Sequence, residues 1–163
     1  MADLFILDAS VLIDLHATEP AVLALISTHV GALHLASTMH SEEVPTLSVD
    51  DCAALAIRIV EPSLEILATA AKKIPGLSFH DRVCMFLARE RAWTCLTNDA
   101  RLRRECKARE ITFQWGLEPV VELVNAGHLE RAKAKELIAA LQERSPGHYK
   151  ARVAQRFLKA IGG

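Results

Sequence analysis

Leu4-Phe5-Ile6-Leu7-Asp8-Ala9-Ser10 is the stretch whose reading decides the fold. Apolar residues in an unbroken row, without alternation, suit a strand that is covered on both faces, and that kind of strand belongs to a parallel sheet. The run stops at Asp8, and Ser10–His16 carries a helical pattern. A strand therefore passes straight into a helix, and Asp8 stands at the strand's C-terminal end.

The same unit recurs outward from this point. Glu19-Pro20 opens a second helix with proline in its first turn. Leu33–Ala36 is a strand, followed by a helix carrying Glu42 and Glu43, with Pro45 near its end. Ser48–Leu55 opens with a helix-start signature. Ile57, Ile59 and Val60 mark a strand ended by Pro62, and Ser63–Lys73 is an amphipathic helix stopped by Pro75-Gly76. Ser78 caps a helix over Phe79–Arg91. Thr94–Thr97 is a strand, Ala100–Arg109 a basic helix, and Ile111–Trp115 a last strand. Alternation of strands and helices predicts an α/β fold: three layers, α/β/α, around a mostly parallel sheet of about five strands. After Trp115 the pattern is helical only, over Leu117–Ala126, Leu129–Arg144 and His148–Ile161. Residues 1–126 are expected to form the α/β domain, and 127–163 a helical extension of the same globule.

The chain has 163 residues, 51% of them apolar, which suits one domain with a substantial core. No apolar run reaches the roughly 20 residues of a membrane helix. Residues 1–13 lack the basic start and cleavage site of a secretion signal, so a cytoplasmic location is expected. Cys52, Cys84, Cys95 and Cys106 include no CxxC pair and read as buried reduced thiols. His16, His29, His34, His40, His80, His128 and His148 follow no ligand spacing and read as surface or capping residues. The net charge of −1 conceals an asymmetry: residues 1–60 carry −7 and residues 61–163 carry +6. An acidic pole beside a basic remainder suits a metal site next to a phosphate-binding surface, although solvated helix faces account for such charges equally well.

Asp8, Glu43, Asp81 and Asp99 all fall on one predicted edge, because strand ends and the helix starts after them converge there. Gathered carboxylates repel one another unless a hard cation lies among them, which implies Mg²⁺ or Mn²⁺ and a phosphate-bearing substrate. Each acid also has a plain structural reading. Asp8 and Asp99 stand at helix N-cap positions, Asp81 completes a capping box with Ser78, and Glu42 and Glu43 suit a solvated helix face. The joint placement is what favours a site. Competing motifs are missing: there is no GxxxxGK[ST] loop, no GxGxxG after the first strand, no GxSxG elbow, and Ser10 stands where a haloacid-dehalogenase-type phosphatase needs a second Asp.

Leu7-Asp8-Ala9-Ser10-Val11-Leu12-Ile13 resembles the opening of PIN-domain nucleases. Leu77-Ser78-Phe79-His80-Asp81 resembles their central Ser-x-x-Asp segment, and Thr97-Asn98-Asp99-Ala100-Arg101-Leu102 their later Thr-x-Asp motif. The six-residue step from Ser37 to Glu43 matches the position of the family's Glu and favours Glu43 over Glu42, which lies about 100° away on a helix. The likeness covers roughly residues 3–126. One departure is Glu110, where relatives usually have the glycine of a left-handed helix end; Glu110 is expected to cost some stability or to alter that turn.

The resemblance implies Mg²⁺- or Mn²⁺-dependent hydrolysis of RNA, leaving a 5′-phosphate and a 3′-hydroxyl. Asp8, Glu43, Asp81 and Asp99 would be the catalytic, metal-binding carboxylates, with Ser10, Thr97 and Asn98 supporting them. Arg82, Arg101, Arg103, Arg104 and Lys107 lie beside the acids in sequence and are candidates for holding RNA phosphates. Many small bacterial proteins of this kind are toxins of toxin–antitoxin pairs, which implies a homodimer and a cognate antitoxin protein. Apolar residues of Leu12–Leu25 and Leu117–Val124 are candidates for such an interface, and equally for the core. The alternatives are a PIN-fold RNA-binding or interaction protein with weak or no catalysis, and a doubly wound small-molecule phosphatase.

Overall fold

The computed structural model describes residues 3–162. Five strands, β1 (Asp3–Leu7), β2 (Gly31–Ala36), β3 (Ile57–Val60), β4 (Thr94–Leu96) and β5 (Phe113–Gln114), form one sheet in the order β3-β2-β1-β4-β5. All four pairings are parallel. Helices flank the sheet, as a parallel sheet requires, and the architecture is the α/β class expected from the alternating pattern.

The first strand sits at the centre because its residues permit nothing else. Phe5, Ile6 and Leu7 have no exposed surface. β1 pairs with β2 on one side and β4 on the other. Gly31 faces Asp3 in that register, and a Cβ there would lie 2.1 Å from the Asp3 carbonyl oxygen, so only glycine lets the two strands start together. β5 is only two residues long, shorter than the 111–115 run expected. The backbone already pairs one residue before it, since Cys95 N–H donates to the Thr112 carbonyl at 2.9 Å.

The helices between these strands are α1 (Ala9–Thr18), α2 (Ala21–His29), α3 (Ser37–Glu43), α4 (Val49–Ala54), α5 (Leu64–Ala71), α6 (Phe79–Arg91) and α7 (Ala100–Ala108). Ser48 with Asp51, and Ser78 with Asp81, form full capping boxes. α7 ends at Glu110, which takes a left-handed φ of 56°. The turn is thus the one a glycine would make, with a glutamate bearing the conformational cost.

After β5 come α8 (Glu118–Asn125), α9 (Arg131–Arg144) and α10 (Ala151–Ala160). The extension packs back on the α/β layer: α9 on α1 and α8, α10 on α9 and α8. Leu12, Leu15, Val22, Leu23, Leu117, Val120 and Leu123 are buried within the chain, so these residues are core rather than an open interface. All four cysteines are free and buried, with the Cys84 and Cys95 sulfurs 3.7 Å apart. His34 departs from the expected surface role: it is buried, stacked on Trp93 at 4.0 Å and bonded through Nδ1 to the Phe5 carbonyl. Among the described residues, no single helix is long and apolar enough to cross a membrane.

Candidate metal centre

The strand order creates a switch point. From β1 the chain winds to β2 and β3 on one side, and later to β4 and β5 on the other. In such sheets the crevice for ligands opens where the winding reverses, at the C-terminal strand ends. Here that place lies between β1 and β4. Asp8 follows β1, and Thr97-Asn98-Asp99 follows β4. The backbone binds the two ends together, with Asp8 N–H donating to the Leu96 carbonyl at 3.0 Å.

Asp8 occupies the N-cap position of α1 but makes no side-chain cap bond. Its Oδ2 instead accepts the Thr97 hydroxyl at 2.8 Å and the Ser10 hydroxyl at 3.0 Å. The carboxylate is buried. Burial pushes it up to about 6, the charges of Asp81 and Asp99 push the same way, and the two hydroxyls oppose them. Asp81 and Asp99 therefore lie close enough to be felt at Asp8.

Those two acids also cap their helices. Asp81 Oδ2 accepts the Ser78 N–H at 2.9 Å. Asp99 Oδ1 accepts the Arg101 and Leu102 N–H groups at 2.8 and 2.9 Å. A carboxylate has two oxygens, however, and capping uses only one. Among the described residues, no hydrogen bond reaches Asp8 Oδ1, Asp81 Oδ1 or Asp99 Oδ2. The structural and chemical readings of these residues are thus compatible at Asp81 and Asp99, and only Asp8 declines the cap.

Glu43 lies at the exposed end of α3, and its carboxyl is raised by partial burial and by the charges of Asp81 and Glu42, against the effect of His80. Glu42 is already engaged, its Oε2 2.8 Å from His80 Nε2. The acids form an electrostatic chain, Glu43 to Asp81 to Asp8 to Asp99. Their donor chemistry is all oxygen and suits a hard cation. Among the described residues, no three His, Cys, Asp or Glu side chains converge tightly enough to hold one ion together. Mg²⁺ commonly takes one or two carboxylates and keeps several waters, so this spacing fits direct binding by few of the acids.

Thr97 is a joint in this edge. Its hydroxyl donates to Asp8 and accepts the Asp99 N–H at 3.0 Å. Asn98 points elsewhere: its Nδ2 donates to the Tyr149 hydroxyl at 2.7 Å, and its Oδ1 accepts the Gly116 N–H at 3.0 Å. It ties the β4 end to the C-terminal extension and not to the acids.

The cationic residues divide. Arg82 is buried, with Nε donating to the Ala70 carbonyl at 2.6 Å and Nη1 to Leu77 at 2.7 Å. Its Nε and Nη1 fasten the α5–α6 connection, so Arg82 is a largely buried tie rather than the open cation expected. Arg101, Arg104 and Lys107 are exposed. Arg103 is half-buried, its guanidinium 3.5 Å from the centre of the Trp115 ring.

Sequence reasoning missed a buried polar knot behind this edge. Asp14 of α1 is only 5% exposed, and its Oδ1 accepts the Ser145 hydroxyl at 2.8 Å and Arg144 Nε at 3.3 Å. Its Oδ2 lies 3.6 Å from His148 Nδ1. The signal was an acid at a helical position shared with Val11 and Leu15, but its partners sit more than 100 residues away. No protein-family model matches the chain, and no curated protein matches it.

Proposed function

We propose that the chain is a Mg²⁺- or Mn²⁺-dependent endoribonuclease of PIN type. The observation that carries this reading is Asp8: a buried carboxylate with no helix-capping task, held by two hydroxyls at the β1/β4 switch point and crowded electrostatically by Asp81 and Asp99. Burying a charge among like charges costs stability, and a functional site is where such a cost is retained.

In this reading Asp8 and Asp99 hold the ion, with Glu43 and Asp81 close by to hold its waters or a second ion. The bound cation supplies an acidified water and neutralises charge on the scissile phosphate. The chain does the rest. Ser10 and Thr97 hold Asp8 Oδ2, and Oδ1, which has no hydrogen bond among the described residues, would be the oxygen open to the ion. Thr97 also sets the start of α7 through the Asp99 N–H. Arg101, Arg104 and Lys107 on α7 offer exposed cations to flanking phosphates. A cytoplasmic toxin of a toxin–antitoxin pair, acting as a homodimer, is the biological setting that the resemblance adds.

Labelled RNA incubated with the purified chain tests this. Cleavage with Mn²⁺, lost with EDTA and lost in Asp8→Asn, is the expected result. Equal cleavage by Asp8→Asn would overturn it. The second reading, a PIN-fold RNA-binding protein without turnover, is favoured by the looseness of the acidic set. RNA binding and metal binding with no cleavage of any RNA tested would decide for that reading.

A further inference from the structure

The C-terminal extension carries a cationic cavity that the acidic edge does not account for. Its volume is about 460 Å³, and Asn98, Arg103, Trp115, Lys150, Arg152 and Arg156 line it. We propose that this cavity is a subsite for the phosphodiester backbone of the RNA strand whose scissile bond lies at the acidic edge. The proposal rests on the reading that the chain acts on RNA.

Two of the cations, Arg103 and Arg156, are held against aromatic rings. The Arg103 guanidinium carbon lies 3.5 Å from the centre of the Trp115 ring, and Nη1 donates to the Asn98 carbonyl at 2.5 Å. Arg156 packs 5.6 Å from Trp115 and 5.1 Å from Phe157. A guanidinium fixed on an aromatic ring loses little further entropy when its free N–H groups take a phosphate. The ion pair of Arg156 is long: it lies 3.7 Å from Glu118, whose other oxygen already accepts the Trp115 N–H at 2.6 Å. Lys150 and Arg152 are exposed and have no ion-pair or hydrogen-bond partner for their side chains among the described residues. Arg103 is held below its ordinary range by burial and by the charge of Arg156, with Asp99 and Glu118 opposing. An anion in the cavity relieves that crowding.

Two features favour a strand over a small phosphate. Asn98 and Ala100, on either side of Asp99 in the sequence, both line the cavity, so it borders the turn that carries this acid. It then continues along α10 into a second hollow of about 710 Å³, which shares Arg152 and Arg156 and adds Lys135 and Lys159. A file of cations along one surface matches a repeating anion.

The test is the affinity of the chain for a labelled single-stranded RNA in EDTA, measured across a salt series. In Lys150→Gln/Arg152→Gln the affinity should fall about tenfold, and the salt slope should shrink by about 1.4, since each phosphate contact on a single strand contributes about 0.7. Both side chains are exposed, and an unchanged melting curve would show that the variant folds. Unaltered affinity and slope would overturn the proposal. The outcome separates from that of the nuclease reading. Loss of binding in a chain that never cleaves leaves the subsite standing without the chemistry. Metal-dependent cleavage with unchanged binding leaves the chemistry standing without the subsite.

Discussion

Replacing Asp8 by Asn should stabilise the chain in the absence of metal. In the folded chain Asp8 keeps its proton up to about pH 6, against an ordinary value of 3.8. Between these values the folded state binds more protons than the unfolded one, so stability falls as pH rises through that window and stays low above it. The gap is about two pH units at about 1.4 kcal/mol each, so ionised Asp8 costs about 3 kcal/mol at neutral pH. Asparagine keeps an acceptor for Thr97 and Ser10 and removes the charge that Asp81 and Asp99 repel. The expected gain is about 2–3 kcal/mol at pH 7.5 in EDTA, or ~5–10 °C in Tm for a chain of this size. Thermal unfolding by circular dichroism from pH 4.5 to pH 8 reads it directly. The two melting temperatures should converge toward the acid end, separate as the pH rises toward about 6, and stay apart above it. An Asp8→Asn protein with an equal or lower Tm at pH 7.5 would show that Asp8 is a satisfied structural carboxylate, and the reasoning would fail.

Because Asp8 must lose its proton before it can hold a cation, Mn²⁺ affinity should fall about tenfold per pH unit below pH 6 and level off above it, as titration calorimetry would record. Glu110→Gly removes a side chain from a left-handed position and should raise stability by about 0.5–1 kcal/mol in urea unfolding, without effect on metal binding. Asn98→Ala leaves the buried Tyr149 hydroxyl and Gly116 N–H without their partners, at a cost of about 1–3 kcal/mol. Hydrogen exchange should show that loss first in α9 and α10, and uniform loosening across the sheet would contradict the assignment.

Much of the fold was legible because its signals are local. The apolar run of β1, the prolines at 20 and 62, and the Ser48 and Ser78 caps act within one or two turns of the chain, and the observed elements follow them closely. Strand order is not local, and the sequence showed only that acids would share an edge. The order β3-β2-β1-β4-β5 adds that Asp8 and Asp99 border the same crevice. Where side chains point was less legible still. Arg82 reads as an exposed cation beside an acidic motif, yet the carbonyls left open at the end of α5 and in the 74–77 turn draw it inward. Asp14 reads as an isolated charge on an apolar helix, and nothing near it in sequence announces Arg144, Ser145 or His148. The pull of Arg103 onto Trp115, and the cationic lining of α10, likewise depend on tertiary contacts.

The central claim is that one hard-cation site is centred on Asp8, and Mn²⁺ binding followed by electron paramagnetic resonance tests it most directly. At pH 7.5 the unmodified chain should quench the free Mn²⁺ signal on titration, and Asp8→Asn, folded and more stable, should leave that signal close to buffer alone. Equal quenching by both proteins would place the ion elsewhere and contradict the account.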